Sequence, residues 1–267
     1  MYRYGNPSIR RWVKKSEAGN LAVNYATATY RGVIGKTALL LMLTILSAVG
    51  VMFATQYGIF KIAESSEISS TAITAFIIGM VVAIVLMLVC SIGIAISPKT
   101  AKVFGPIYAL IQGAFLGFIA AFVNMVFPFV TTAAILGTLI VFVVCLLLYK
   151  AIGVRIKSNF MRVLTISLLC FVLVQLIIVP IILYTGSEQS YTAILWIQAI
   201  ASFICIVFAS VTIIYDLQSV DYIVQSGADK SYEWGVAFSL TTSLIYLYLQ
   251  ILRLLLRILA LFSTRKK

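Results

Sequence analysis

Seven long apolar runs, separated by short polar connections, set the pattern of this chain: Val33–Tyr57, Ala72–Ile96, Val103–Val123, Val130–Tyr149, Val163–Leu183, Tyr191–Tyr215 and Val236–Phe262. A helix rises about 1.5 Å per residue, so roughly 20 apolar residues cross a ~30 Å hydrocarbon core. Each run is long enough to do so. The short alternating segments of a membrane β-barrel are absent from the sequence. The pattern predicts an all-α membrane protein, a seven-transmembrane helix bundle in one domain over residues 33–262. A basic tail, 1–32, precedes it and a short basic tail, 263–267, follows it.

Composition agrees with this. Of the 267 residues 62% are hydrophobic and 10% are charged. A water-soluble domain so composed would expose large apolar patches. The first ~30 residues are polar and basic, without the apolar core and small-residue cleavage pattern of a signal peptide. The first run is therefore expected to remain as an anchor.

The net charge is +12, but its distribution points to topology and not to nucleic acid. Arg3, Arg10, Arg11, Lys14, Lys15, Arg31 and Lys36 precede or open the first run. Lys99 and Lys102 lie in the second connection, and Lys150, Arg155, Lys157 and Arg162 in the fourth. The first, third and fifth connections carry Lys61 alone. This positive-inside asymmetry predicts a cytoplasmic N-terminus in the cell membrane. The basic Arg10–Lys15 stretch with Trp12 is a candidate for contact with an anionic leaflet; an unstructured solvated tail is the alternative. One conflict stands. Seven spans put the C-terminus outside, yet the chain ends Thr264-Arg265-Lys266-Lys267. Six spans and a re-entrant last segment would reconcile the charges.

Local punctuation follows. Ser97-Pro98 ends the second run, since proline cannot continue the hydrogen-bond ladder. Gly105-Pro106 reads as the opening of the third span, where proline in the first turn costs little. Pro128 marks the turn between the third and fourth spans, and Pro180 a kink near the end of the fifth. Gly113 and Gly117 form a G-x-x-x-G pair suited to close helix packing. Cys90, Cys145, Cys170 and Cys205 stand singly in separate runs, as buried small side chains. There is no histidine, which excludes histidine-based metal sites and general bases. No phosphate-cradling loop and no paired aspartyl-protease motif occurs, so an enzyme is not expected.

The acids carry the remaining chemistry. Asp216, Asp221, Asp229 and Glu233 cluster between the last two runs, with Lys230 among them. This acidic patch reads as a cation-attracting mouth. Asp216 follows the sixth run without a break. A carboxylate placed in or beside the bilayer is costly and becomes a candidate functional group. Desolvation favours the protonated form of such a group, so Asp216 is a candidate pH sensor and gate. Arg253 and Arg257, one helical turn apart in the last run, are its candidate ionic partners. A structural salt bridge or an interfacial side chain is the plain alternative.

Some of these residues resemble a known family. Ser231-Tyr232-Glu233-Trp234, then Ala237-Phe238 and Leu247-Tyr248-Leu249-Gln250-Ile251-Leu252-Arg253-Leu254-Leu255, resembles the C-terminal signature of the Bax inhibitor-1/YccA family, in its prokaryotic branch. The passage Ser97-Pro98, Ala101, Gly105 to Gly113 and Leu116-Gly117 is similar to the family's passage from second to third span. The resemblance implies a seven-helix bundle with the last helix central. It also implies a pH-sensitive calcium leak in which two acids share a proton, and in some bacterial members binding to a membrane protease. Asp216 matches the first acid. Gln250 stands where the family has the second, and Gln112 replaces a glutamate of the third span. An amide can hydrogen-bond Asp216 but cannot share its proton. The expected function is therefore a cation leak governed by one carboxylate, Asp216, with Gln250 beside it and Arg253, Arg257, Asp221, Glu233 and Gln112 in support. The alternative is a non-conducting membrane regulator of a partner such as a quality-control protease. Beyond the lipid bilayer, the expected partners are calcium ions or that protease; no cofactor is expected.

Overall fold

A computed structural model of the protein describes residues 27–64, 70–97, 100–151, 153–168 and 188–264. The basic N-terminal stretch, Pro98, Cys170, Pro180, most of the fifth predicted span and the last three residues lie outside them. The described residues are helical throughout their long elements: α1 (Tyr30–Glu64), α2 (Ser70–Ile96), α3 (Ala101–Val126), α4 (Val130–Ala151), α5 (158–168), α6 (Glu188–Gln225) and α7 (Tyr232–Thr264). Among the described residues five segments are long and apolar enough to cross a membrane: Tyr30–Gln56, Ala101–Val126, Val130–Ala151, Ile194–Gln225 and Tyr232–Phe262. Between 17% and 39% of each apolar window is buried within the protein. The exposed remainder is apolar surface that a bilayer covers at no cost in hydrophobic free energy. The chain is an all-α, multi-pass membrane protein.

The long helices outrun their apolar runs, α1 and α6 the furthest. α1 begins three residues before Val33. α6 continues through Gln225, nine residues beyond Asp216 (225 − 216). Asp216 is therefore an internal residue of a helix and not its last one. The extension survives its polar residues because they are packed: Gln218 and Ser219 are 5% and 1% exposed. The Gln218 amide, oriented to satisfy both its groups, pairs with the backbone N–H and C=O of Ile156.

Pro106 also departs from expectation. α3 starts at Ala101, so Pro106 lies inside the helix and not at its opening. Its missing N–H leaves the carbonyl of Lys102 without the usual helical donor.

The residues group into two compact units by proximity. Of the described residues, one unit contains those of Phe129–Tyr222 and the part of α7 from Thr242; the other contains those from Thr27 to Pro128 and Ile223–Thr241. α7 thus contributes to both.

In the second unit α1 packs along α3. A Cβ on Gly113 would overlap the carbonyl oxygen of Thr44 and sit 2.8 Å from the Ser47 Cβ. One on Gly117 would overlap the carbonyl of Ala48. The helix backbones thus touch, which is what small residues four apart permit. Ser47 adds a hydrogen bond from its Oγ to the carbonyl of Leu110 at 2.7 Å. Leu40, Ala109 and Ala237 form a buried cluster flanked by Leu43, Trp234 and Phe238, and the Tyr108 and Phe238 rings meet edge to face at 4.9 Å.

The turn from α6 to α7 is specified locally. Gly227 has φ 62°, the left-handed conformation that glycine adopts freely. Its N–H bonds the carbonyl of Val224 and that of Ala228 bonds Ile223, the paired bonds that close a helix C-terminus. Asp229 then accepts from the Ser231 N–H at 3.0 Å, opening α7.

Candidate functional site

Asp216 is 2% exposed. Its neighbours along α6, Ile213, Ile214 and Tyr215, are also buried, so the carboxylate belongs to a buried stretch of the helix. Ser243 of α7, itself buried, donates its hydroxyl to Asp216 Oδ2 at 2.5 Å. That bond is charge-assisted when Asp216 is ionised, and such bonds are roughly twice as strong as neutral ones. A second link lies further along the same two helices. Arg257 donates to the Ser202 hydroxyl and to the carbonyl of Gln198. The pairs Asp216/Ser243 and Ser202/Arg257 each sum to 459, the signature of two antiparallel helices in one register.

This register decides which expected partners meet. Arg253 and Arg257 lie 10 and 14 residues beyond Ser243 (253 − 243; 257 − 243). At ~1.5 Å per residue they are about 15 and 21 Å further along α7. Neither reaches Asp216, so the expected ionic partnership is corrected: Arg257 is satisfied by α6 a long way from the acid, and Arg253 is exposed. Gln250 is buried, at 4%, and stands seven residues beyond Ser243, two turns or ~10 Å along the axis. Its side chain lies within hydrogen-bonding reach of Tyr246, one turn before it.

Among the described residues no group of three or more His, Cys, Asp or Glu is placed to hold a metal ion. Helix continuity through Gln225 spaces the acids apart, and each has its own neighbour. Asp221, half-buried, accepts from the Tyr149 hydroxyl. Asp229 serves the turn. Glu233 is 0% exposed and ion-paired with Lys36 Nζ at 2.5 Å.

The Glu233 arrangement is the most completely built polar cluster described. Thr29 is the N-cap of α1, its Oγ1 accepting from the Gly32 N–H at 3.1 Å. Glu233 Oε1 accepts from the Thr29 N–H at 2.8 Å and from its hydroxyl at 3.3 Å. Its carboxylate lies against Gly32, where a Cβ would collide with it. A negative charge at a helix N-terminus is favoured by the exposed N–H groups and the helix dipole. Lys36 also lies 5.2 Å from the centre of the Trp234 ring. The Ala28 N–H bonds the carbonyl of Ala228 at 2.7 Å, which holds the entrance of α1 to the turn between α6 and α7. The sequence marks Glu233 as one of several acids and leaves its cation unnamed. The available signal is that Lys36 and Glu233 each open an apolar run, where a buried charge needs its opposite.

Gln112 sits on α3 at 9% exposure, its Oε1 without a hydrogen-bond partner among the described residues. Cys90, Cys145 and Cys205 are buried free thiols, as expected.

No match was found among curated proteins or among solved structures. The family described as Bax inhibitor 1 like matches the chain over residues 6–260, and that span covers both helices of the Asp216–Ser243 link, the Lys36–Glu233 cluster and the G-x-x-x-G crossing. The protein therefore belongs to the Bax inhibitor 1 like family of membrane proteins.

Proposed function

We propose that the protein is a pH-sensitive cation leak, with calcium as the candidate ion and Asp216 as its single titrating gate. The observation that carries this reading is a carboxylate 2% exposed in the interior of a membrane helix, tied to the next helix by Ser243. Ionised Asp216 accepts a charge-assisted hydrogen bond that holds α6 to α7. Protonation removes the charge, weakens that bond and loosens the helix pair. Leak is therefore expected to rise as pH falls. Gln250 cannot take up a proton, so one carboxylate governs the response and no second site is coupled to it.

The test is calcium entry into vesicles carrying an internal dye. Wild type should show a pH profile with the slope of one proton. Asp216→Asn should leak at an acid-like level at every pH, and Ser243→Ala should raise the leak at neutral pH. Gln250→Glu should add a second titration. Flux no greater than that of empty vesicles from acidic to neutral pH would sink the proposal.

A second reading is a non-conducting regulator of a membrane partner such as a quality-control protease. It is favoured by the internal partners of Asp221, Asp229 and Glu233, which leave these acids engaged within the protein. Crosslinking in native membranes followed by recovery of a specific protease would support it; recovery of lipid and abundant proteins alone would count against it.

For orientation we infer a cytoplasmic N-terminus in the cell membrane, from the positive-inside distribution. With seven spans, a reporter fused after Lys267 should read out on the external side. A cytoplasmic signal would support the re-entrant last segment instead.

A further inference from the structure

We propose that the connection between α4 and α5 forms a binding site for the anionic headgroup of a phospholipid. The connection lies at the level of the headgroups. α4 ends at Ala151, α5 begins at 158, and the apolar run of α6 ends at Tyr215. Three points tie the connection to α6 at and just past that end. The Tyr149 hydroxyl bonds Asp221. The Gln218 amide pairs with the N–H and C=O of Ile156. Buried Tyr215 lies within hydrogen-bonding reach of Ser158. On α6 these points span six residues (221 − 215), ~9 Å along the axis. The polar layer on each side of a bilayer is of similar depth, roughly 5–8 Å.

The same ties set the shape of the connection. The Val154 N–H returns to the carbonyl of Leu148 at 3.3 Å, and Gly153 turns the chain with φ 71°. Ile156 is buried against α6, while Arg155 and Lys157 on either side of it are exposed. Lys150, at the end of α4, and Arg162, in the second turn of α5, are exposed too. Four cations therefore stand around a connection fixed at headgroup level, and no acid occurs between 150 and 162. Asp221 is the acid on the tied face of α6, and Arg155 has a partner within the protein. The site requires a positive field and not unpaired cations, since each Lys or Arg near a bilayer surface adds attraction to anionic lipid. The neighbouring surface selects a lipid over a soluble anion. Phe160, Val163 and Ile166 of α5, three residues apart and so on one side of the helix, are each more than half exposed. An acyl chain can lie along this stripe while its phosphate meets the cations at the start of α5. The paired N–H donors of Arg162 match two phosphate oxygens.

The experiment uses the purified full chain in a neutral detergent. Melting temperature is followed on adding phosphatidylglycerol, phosphatidylcholine with the same acyl chains, or inorganic phosphate. Phosphatidylglycerol should stabilise the wild type more than phosphatidylcholine does, and inorganic phosphate should not reproduce the difference. Lys157→Gln and Arg162→Gln should each weaken the apparent affinity for phosphatidylglycerol about fivefold. Both side chains are exposed, so their replacement leaves the packed core as it is. Lys102→Gln, at an exposed cation near the start of α3, should leave the affinity unchanged. Equal stabilisation by the two lipids would overturn the proposal. So would an undiminished phosphatidylglycerol effect in the double variant Lys157→Gln/Arg162→Gln. An equal loss in Lys102→Gln would overturn it by showing diffuse charge in place of a site, and a full effect from inorganic phosphate would make the ligand a soluble anion.

Discussion

Glu233→Ala is expected to lower the melting temperature of the purified protein by roughly 10 °C, corresponding to about 3–5 kcal/mol. The removed carboxylate serves three groups at once: the Lys36 ammonium and the N–H and hydroxyl of Thr29. Lys36 has a side chain only 16% exposed, so it cannot recover its hydration where it stands. An ion left buried without its partner costs more than the pair contributed. Glu233→Gln should fall between wild type and alanine. Its amide oxygen still accepts from Thr29, but no negative charge faces Lys36. The double variant Lys36→Met/Glu233→Leu should regain much of the loss, because removing both charges removes the desolvation cost of each. A double variant as unstable as Glu233→Ala would show that the capping of Thr29, and not the ion pair, dominates.

Gly117→Leu should disrupt the protein, with a cost of about 3 kcal/mol or more and loss of the monodisperse species in size-exclusion chromatography. The obstacle is backbone: a Cβ there meets the carbonyl group of Ala48, and a carbonyl in a helix cannot rotate aside as a side chain would. Gly113→Leu should act alike through Thr44. Gly35 and Gly50 provide the controls. A Cβ at either meets nothing within 4 Å, so Gly35→Ala and Gly50→Ala should be neutral or slightly stabilising, since alanine favours a helix over glycine. If Gly117→Leu behaves like Gly35→Ala, α1 and α3 do not cross as closely as described.

These two sites differ in how far the sequence discloses them. The glycine pair is legible because its geometry is local: residues four apart share a helix face, and lack of side chains on that face has one main use. The spans are legible for a similar reason, as solvent sorting leaves a long uninterrupted mark. Asp216 is conspicuous as an acid beside an apolar run, but Ser243 is not. A serine in a membrane helix carries no sign of what it faces until the register of α6 against α7 is known. The arginines misled for the same reason, since opposite charges suggest a pair and say nothing of the ~15–21 Å between their levels. The end of α6 was hidden by Gln218 and Ser219, which look like interface in the sequence and are core in the fold. The start of α3 is read too late, and Pro106 too near it, because Ala101 to Gly105 lack a strong start signal.

Lys36 and Glu233 are 197 residues apart in the chain, and this separation has a consequence for biosynthesis. Translation adds about 5–20 residues per second. The lysine of the first helix thus exists for roughly 10–40 s before the ribosome supplies its counter-ion. Throughout that interval α1 has neither the carboxylate at its N-terminus nor the turn that binds Ala28. A chain interrupted before the final helix would present an unpaired ammonium at the mouth of its first span. Such a chain is a mark by which a membrane quality-control system could tell an unfinished copy from a finished one.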